Sequence, residues 1–265
     1  MSAEAVLAEF DDGIATITLN QPDRMNALSD EIKRGLESAL DAIDERDDVR
    51  CIVFQGSGKA FCAGGDVGGM SDRDESTRTA QDRIQELVDL CEHVPIRIYN
   101  TDIPTVAKID GYCLGAGVGL ALSCDVQLAS EDASFGLVFR NVGLSMDFAT
   151  SFLVPRATGW NVAKELALTG EIIGADHAEE LGLINHEYGT DQFESKATEL
   201  IESIATGPTV ALGRSLRNID RSYGSTIRQA VEREAQAQNI AYGTEDHEEG
   251  VSAFSEDRDP VFQGR

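Results

Sequence analysis

The sequence has few basic residues and no long hydrophobic segment. Its 265 residues contain 22 lysines and arginines against 47 aspartates and glutamates, and lysine occurs only five times. The formal net charge of −25 disfavours nucleic acid and anionic membranes as partners. No run of 18 apolar residues is present, so we expect no membrane-spanning helix. The acidic start MSAEAVLAEF also lacks the basic region of a signal peptide, which predicts a cytoplasmic protein.

Cysteine and histidine are too few and too scattered to indicate a metal site. The five cysteines form no CxxC pair and lie in apolar stretches, which is typical of reduced, buried thiols. The four histidines lack the spacing of metal ligands. We therefore predict that the protein binds no metal.

The acidic residues are spread over predicted helices and turns instead of forming one tail. A solvated acidic surface is the simplest interpretation of this distribution. Adaptation to a high-salt cytoplasm, where dissolved ions screen the repulsion between like charges, would explain both the excess of acids and the scarcity of lysine.

The hydrophobic pattern predicts an α/β protein. The segment AVLAEFDDGIATITLN predicts two strands around an Asp-Asp-Gly turn. Ser29 is predicted to cap a helix with apolar residues at helical spacing, namely Ile32, Leu36, Leu40 and Ile43. Strand-strand-helix units recur until about Phe193, and the rest of the pattern is helical. We therefore divide the chain into a core, residues 1–195, and a helical C-terminal section, residues 196–265.

Two glycine-rich loops follow predicted strands. GSGKAFCAGG lacks the GK[ST] ending of a phosphate-binding loop, and GYCLGAGVG has no acidic residue for a dinucleotide ribose. Small residues allow backbone N–H groups to approach a developing oxyanion. Tight turns and close packing would explain either loop alone. The two loops together favour an oxyanion-binding site.

The two loop segments resemble the signatures of the crotonase (enoyl-CoA hydratase/isomerase) superfamily. They are KAFCAGGDV and IDGYCLGAGVGLALSCDVQLAS, and QPDRMNALS and ASFGLVFRNVGL agree with further family segments in the same order. The resemblance implies a crotonase-like α/β spiral of ββα turns, followed by a C-terminal helical section that serves oligomerisation. It also implies a homotrimer or dimer of trimers and an acyl-CoA thioester substrate. Since coenzyme A is part of that substrate, we expect no separate cofactor.

By position in these motifs, the resemblance implies that Gly65 and Ala116 supply the two N–H groups of an oxyanion hole. Ala116 replaces the glycine usual at its place, but a methyl group leaves the N–H available. Ala116 also opens a predicted helix, so its N–H lies at the positive end of the helix dipole.

The resemblance also implies a binding site for coenzyme A. Backbone groups of Ala27, Ala63 and Asp66 would line the adenine-nucleotide site, with Asp66 a structural loop residue and not a catalyst. A basic residue would meet phosphate, and Arg24 is the first candidate and Lys59 the second. Either cation is also explained as a solvated surface residue.

The family hydratases use two glutamates to add water, and the resemblance places these positions at Gly119 and Phe139. Neither side chain can transfer a proton. One carboxylate remains nearby, Asp147 in GLSMDFATSFLVPRATG. It could be a helix N-cap. In the family, however, an aspartate at this place is the catalytic residue of several isomerases, including dienoyl-CoA and 1,2-epoxyphenylacetyl-CoA isomerases.

These observations predict an enzyme that isomerises an unsaturated or ring-epoxide acyl-CoA. Gly65 and Ala116 would stabilise a thioester enolate, while Asp147 would move the proton. Apolar neighbours should raise the pKa of Asp147. Two alternatives remain open: an enoyl-CoA hydratase or other crotonase reaction, and a non-catalytic acyl-CoA-binding subunit. The polar segment SDRDESTRTAQD is expected to shape the acyl pocket.

Overall fold

The structure, a computed structural model, describes residues 4–71 and 79–265. Most of the segment SDRDESTRTAQD, residues 72–78, therefore lies outside the described residues. Within the described ranges, no helix is both long and apolar enough to cross a bilayer.

The strands form two sheets. Their bounds are Val6–Asp11 (β1), Ile14–Leu19 (β2), Cys51–Gly56 (β3), Ala60–Cys62 (β4), Thr105–Ile109 (β5), Tyr112–Leu114 (β6), Val126–Ser130 (β7), Ser134–Gly136 (β8), Ile172–Gly174 (β9) and His186–Tyr188 (β10). The larger sheet has the order β1-β2-β3-β5-β7-β10, and the smaller has the order β4-β6-β8-β9. Only the pairs β1–β2 and β8–β9 are antiparallel among the described strand pairs.

Helices follow the strands along the chain. Their bounds are Asp30–Asp44 (α1), Val67–Ser71 (α2), Ala80–His93 (α3), Pro95–Asn100 (α4), Ala116–Leu122 (α5), Thr150–Thr158 (α6), Trp160–Thr169 (α7), Ala175–Glu180 (α8), Thr190–Ala205 (α9), Thr209–Asp220 (α10), Ile227–Ala241 (α11) and Glu245–Glu256 (α12). Two 3-10 helices span Pro22–Arg24 and Val138–Val142.

The strand-strand-helix units build a spiral. Each of the consecutive pairs β3–β4, β5–β6 and β7–β8 places its first strand in the larger sheet and its second strand in the smaller sheet. Neighbouring turns of the spiral are parallel, so their carboxyl ends meet at one edge. The loops that carry the glycine-rich motifs are at this edge of the smaller sheet.

The predicted first helix is confirmed as α1. The Ser29 hydroxyl accepts a hydrogen bond from the N–H of Ile32 at 3.2 Å, which satisfies one of the free donors at the helix start. The four apolar residues predicted for its inner face are all buried: Ile32, Leu36, Leu40 and Ile43.

The predicted division between residues 195 and 196 falls inside α9. The apolar face of this helix carries Phe193, Ala197 and Ile201, which form a second core with buried residues of β3, β5 and β7. Residues on both sides of the division therefore pack against the same sheet.

Candidate active site

The two glycine-rich loops leave neighbouring parallel strands. In the pairing of β4 with β6, Cys62 is opposite Cys113. One loop follows Cys62 directly, and the other follows Leu114. Since both strands end at the same edge of the sheet, the two loops lie side by side.

Direct backbone contacts hold these loops together. A Cβ atom added to Gly64 would lie 2.7 Å from the carbonyl oxygen of Leu114, and one added to Gly117 would lie 2.2 Å from the carbonyl oxygen of Cys62. Larger residues would push the loops apart. Gly64 also has a φ of 93°, a conformation that L side chains rarely adopt. These two glycines therefore allow the close approach on which an oxyanion hole depends.

Both sequence-predicted N–H donors lie on the joined loops. Ala116 is the first residue of α5, so its N–H has no partner within the helix and lies at the positive end of the helix dipole. Around Gly65, the Leu28 N–H donates to the Gly64 carbonyl at 2.8 Å, and the Val67 N–H donates to the Gly65 carbonyl at 3.0 Å. Within residues 4–71 and 79–265 the Gly65 N–H itself has no acceptor. Both amides remain available to a ligand.

Asn26 holds the loop between β3 and β4 in place, a role that is not among the sequence-based predictions. Its side chain is fully buried and donates to the carbonyls of Ser57 at 2.9 Å and Ala60 at 2.7 Å. Its backbone is left-handed, with a φ of 52°, a conformation that asparagine tolerates better than most residues. The asparagine in the loop QPDRMNAL is therefore the feature of the sequence that could have indicated this left-handed turn.

The residues predicted to bind coenzyme A lie on the first of these loops or next to it. Ala27, Ala63 and Asp66 are all partly exposed. The Arg24 guanidinium forms an ion pair with the Asp66 carboxylate. The other oxygen of Asp66 accepts from the Gly69 N–H at 3.1 Å, which supports the structural role predicted for this aspartate. Arg24 remains about half exposed, with 45% of its side chain accessible, so a ligand can still reach it.

Lys59 lies on the turn beside the 3-10 helix that carries Arg24. Gly58 packs against Pro22, since a Cβ atom there would be 2.7 Å from the proline Cβ. The Lys59 side chain is exposed and has no ion-pair or hydrogen-bond partner in the part of the chain that the structure describes. The two predicted cations are therefore on adjoining loops.

Asp147 precedes α6 but does not cap it. The helix begins at Thr150, its N-cap is Ala149, and no side chain caps it. Among the described residues, Asp147 Oδ1 is a buried oxygen without a hydrogen-bond partner. A buried polar atom without a partner is costly and often marks a functional group. This finding removes the N-cap explanation of Asp147.

The surroundings of Asp147 make its charged form less favourable than it is in water. Burial raises the pKa of this carboxyl, and the positive charge of Lys33 on α1 opposes that rise. The Asp147 charge also acts on Cys91 of α3. It adds to burial in raising the pKa of the Cys91 thiol. Asp147 is thus partly desolvated, and its charge interacts with one cation and one thiol.

The turn formed by residues 147–150 is strained. Phe148 and Ala149 both have left-handed backbones, with φ values of 50° and 61°. Such a conformation costs non-glycine residues roughly 1–2 kcal/mol each. The Asp147 carbonyl accepts from the N–H of Thr150 at 3.0 Å and from its hydroxyl at 2.6 Å, which closes the turn. Strain of this kind is concentrated at functional sites.

The two positions aligned with hydratase glutamates are filled by other packing. Gly119 leaves no empty space, because an added Cβ atom would lie 2.2 Å from the carbonyl oxygen of Phe148. The buried ring of Phe139 approaches the second loop, with its Cζ atom 3.8 Å from the place of a Gly115 Cβ. Phe139 therefore forms an apolar wall beside the oxyanion loop.

Comparisons with known proteins agree with this architecture. Residues 9–265 match the family model described as enoyl-CoA hydratase/isomerase. The chain is 32% identical to the 1,2-epoxyphenylacetyl-CoA isomerase of Escherichia coli (strain K12), with 99% of each chain covered. It is 33% identical to a protein of Rhodobacter capsulatus named "Probable enoyl-CoA hydratase", with 100% of each covered. The crystal structure of an enoyl-CoA hydratase from Bacillus anthracis has a TM-score of 0.89 at 28% identity, covering 98% of this chain and 100% of that one. These likenesses confirm the predicted fold.

Proposed function

The chain belongs to the enoyl-CoA hydratase/isomerase family, and we propose that it isomerises an unsaturated or ring-epoxide acyl-CoA thioester. The observation that carries this proposal is the buried, unpartnered carboxylate oxygen of Asp147. It lies on a strained turn packed against the helix that begins with Ala116. A side chain in this state is available to accept a proton from a substrate.

The proposed reaction uses one base and two N–H donors. The thioester oxygen accepts hydrogen bonds from the N–H groups of Gly65 and Ala116. Asp147 removes a proton from the carbon next to the thioester, and the electron pair moves onto that oxygen as an enolate. In the unsaturated substrate the same proton returns to a carbon farther along the chain, so the double bond moves and no water is consumed. Each oxyanion donor is worth about 10²–10³ in rate.

The proposed substrate is held through its coenzyme A group by residues of the first loops. Arg24 and Lys59 offer positive charge to phosphate, while the backbones of Ala27, Ala63 and Asp66 line the adenine-nucleotide site. Two arguments support this assignment: these residues lie on the first of the joined loops or next to it, and the two cations lie on adjoining loops in a protein with only five lysines.

Hydration is the competing proposal, because relatives named as hydratases match this chain as closely as the isomerase does. Water addition needs one group to activate water and one to deliver a proton. Gly119 and Phe139 provide neither, and the Phe139 ring makes its position apolar. Isomerisation needs a single base, which Asp147 supplies.

The Asp147→Asn variant tests the proposal. We expect it to lower turnover of a 3-enoyl-CoA or of 1,2-epoxyphenylacetyl-CoA by about 10²–10⁴-fold, since the amide cannot accept the proton. The variant should still bind a saturated acyl-CoA, as measured by calorimetry. Asp110→Asn is the matched control. This exposed aspartate lies before β6, at the end of that strand opposite to the glycine-rich loop.

Three outcomes would contradict the proposal. Full activity in the Asp147→Asn variant would show that another group moves the proton. Loss of enoyl absorbance when the wild-type protein is mixed with crotonyl-CoA and water would favour hydration. Binding without turnover across a panel of unsaturated acyl-CoA thioesters would indicate a non-catalytic binding subunit.

A further inference from the structure

Gly119 contacts the turn that carries Asp147. A Cβ atom at this position would lie 2.2 Å from the carbonyl oxygen of Phe148 and 3.3 Å from its carbonyl carbon. Real Cβ atoms essentially never approach another heavy atom within 3.0 Å. The carbonyl of Phe148 therefore rests directly on the backbone of α5, and any side chain at residue 119 would have to displace it.

Thr150 is the second contact between α5 and the turn. It is fully buried, and its Cγ2 atom would lie 3.1 Å from the same added Cβ. Its hydroxyl and its N–H both donate to the Asp147 carbonyl, at 2.6 Å and 3.0 Å. Thr150 thus connects the surface of α5 at Gly119 to the backbone of Asp147.

The same short helix also carries the proposed oxyanion donor. Ala116 precedes Gly119 by three residues, which places the two on one face of α5 less than one helical turn apart. The helix therefore presents the Ala116 N–H at its start and supports the Asp147 turn near its middle. The Ala116 N–H and the contact with the Asp147 turn are therefore parts of one short helix.

We propose that Gly119 and Thr150 are positioning residues that hold Asp147 at its working distance from the oxyanion hole. This inference rests on the proposed function, because it assigns Asp147 the role of the base. It has a further consequence for specificity. A side chain at residue 119 and the present position of the Asp147 turn exclude each other, so Gly119→Glu would displace the base and would not add a hydratase carboxylate to the existing site.

The Gly119→Ala variant tests this inference. We expect the added methyl group to displace the Phe148 carbonyl, and misplacement of a catalytic group by roughly an ångström can lower kcat by about 10²-fold. The KM for acyl-CoA should stay within about threefold, since the binding loops are not altered. Gly213→Ala is the matched control. A Cβ atom there would lie 1.9 Å from the carbonyl oxygen of Asp102, but this conflict is in α10. We expect the control to lower Tm and to leave kcat unchanged.

The Thr150→Val variant keeps the inference testable if Gly119→Ala does not fold. Valine keeps the shape and the methyl contact but removes the hydroxyl that donates to the Asp147 carbonyl. We expect kcat to fall about tenfold with little change in KM. Thr158→Val, which removes a hydroxyl bonded to the Val154 carbonyl in the same helix, should leave kcat unchanged.

A double-mutant cycle separates positioning from general damage. If Gly119 acts through Asp147, then Gly119→Ala should cause no further loss of residual turnover in the Asp147→Asn background. Equal losses in both backgrounds would overturn the inference. If Gly119→Ala and Thr150→Val both keep the wild-type kcat while Asp147→Asn is inactive, the positioning inference is overturned and the proposed function stands. Full activity of Asp147→Asn would overturn the proposed function itself.

Discussion

At the scale of single residues, the proposed base Asp147 must be ionised in surroundings that make its negative charge unfavourable. Burial raises the pKa of its carboxyl above the ordinary value of 3.8. A group whose pKa is raised in the folded state contributes stability at low pH, and that contribution is lost as the pH rises through the folded pKa. Catalysis has the opposite dependence, because the base must be ionised. We therefore expect kcat to decrease as the pH falls through this raised pKa.

Lys33 provides a direct test of that electrostatic description. Its positive charge lowers the pKa of Asp147, so Lys33→Gln should move the acidic limb of the kcat profile to higher pH. Cys91 also interacts with Asp147, but burial raises the pKa of its thiol, so it stays neutral across this limb. The measurement is kcat against pH for wild type and variant.

The control for this experiment is Lys196→Gln. Lys196 pairs with Glu199 three residues away, as Lys33 pairs with Asp30, but it lies on α9. The limb should not move in this variant. A shift to lower pH in Lys33→Gln, or an equal shift in both variants, would contradict the proposed role of Lys33.

The sequence singles out Asp147 as a candidate base but gives no sign of the contacts around its turn. The aspartate stands at a recognisable place in a motif, whereas the contact between Gly119 and Phe148 joins residues 29 positions apart. No local pattern encodes that contact. The sequence indicates only that a glutamate is absent at Gly119, and the structure adds that the turn fills the space beside it.

At the scale of elements, a buried ion pair fixes α10 to the core. Arg217 on α10 contacts the Asp125 carboxylate at 3.1 Å, and their side chains are only 5% and 10% exposed. The same carboxylate accepts from the N–H and the hydroxyl of Thr105 at the start of β5. Burial raises the pKa of Asp125, and these hydrogen bonds and Arg217 oppose the rise. The pair thus connects α10 of the helical section to the start of β5 and to the residue directly before β7.

Removing this arginine should destabilise the protein strongly. Arg217→Ala leaves the Asp125 charge buried without its cation, which typically costs about 3–5 kcal/mol of unfolding free energy. Urea denaturation of the two proteins gives this difference. Arg228→Ala is the control, because the Arg228 side chain is 87% exposed in its pair with Glu232 and should change stability by less than about 1 kcal/mol. Similar losses in both variants would contradict the assignment.

Long periodic elements were predictable and short ones were not. The apolar residues that predict the inner face of α1 are the ones that are buried, because local spacing alone decides which of its residues point inward. The three-residue strand β6 has no local pattern that predicts it, since its pairing with β4 and β8 depends on distant segments. Helix α3 carries Ile84, Leu87 and Val88 at helical spacing, and these side chains are exposed in the single chain, so spacing alone does not show which face is buried.

At the scale of the whole molecule, large apolar side chains remain exposed on the C-terminal helices. Ile227 on α11 is 84% exposed, and Phe254 on α12 is 89% exposed. Contiguous exposed apolar surface is typical of interfaces. The homotrimer or dimer of trimers implied by the sequence stays a prediction, and a mass determined by light scattering would test it.

The net charge of −25 leads to a prediction about salt. The screening length falls from about 30 Å at 0.01 M salt to about 3 Å at 1 M, so added KCl should weaken repulsion among the surface acids and raise the free energy of unfolding. Most of that rise should occur below molar concentration, where screening changes most. A variant that neutralises four exposed acids, Glu45→Gln, Asp47→Asn, Glu165→Gln and Glu234→Gln, should gain less from KCl than the wild type, because it has less repulsion to screen. Equal stability in dilute buffer and in molar KCl would contradict adaptation of this surface to high salt.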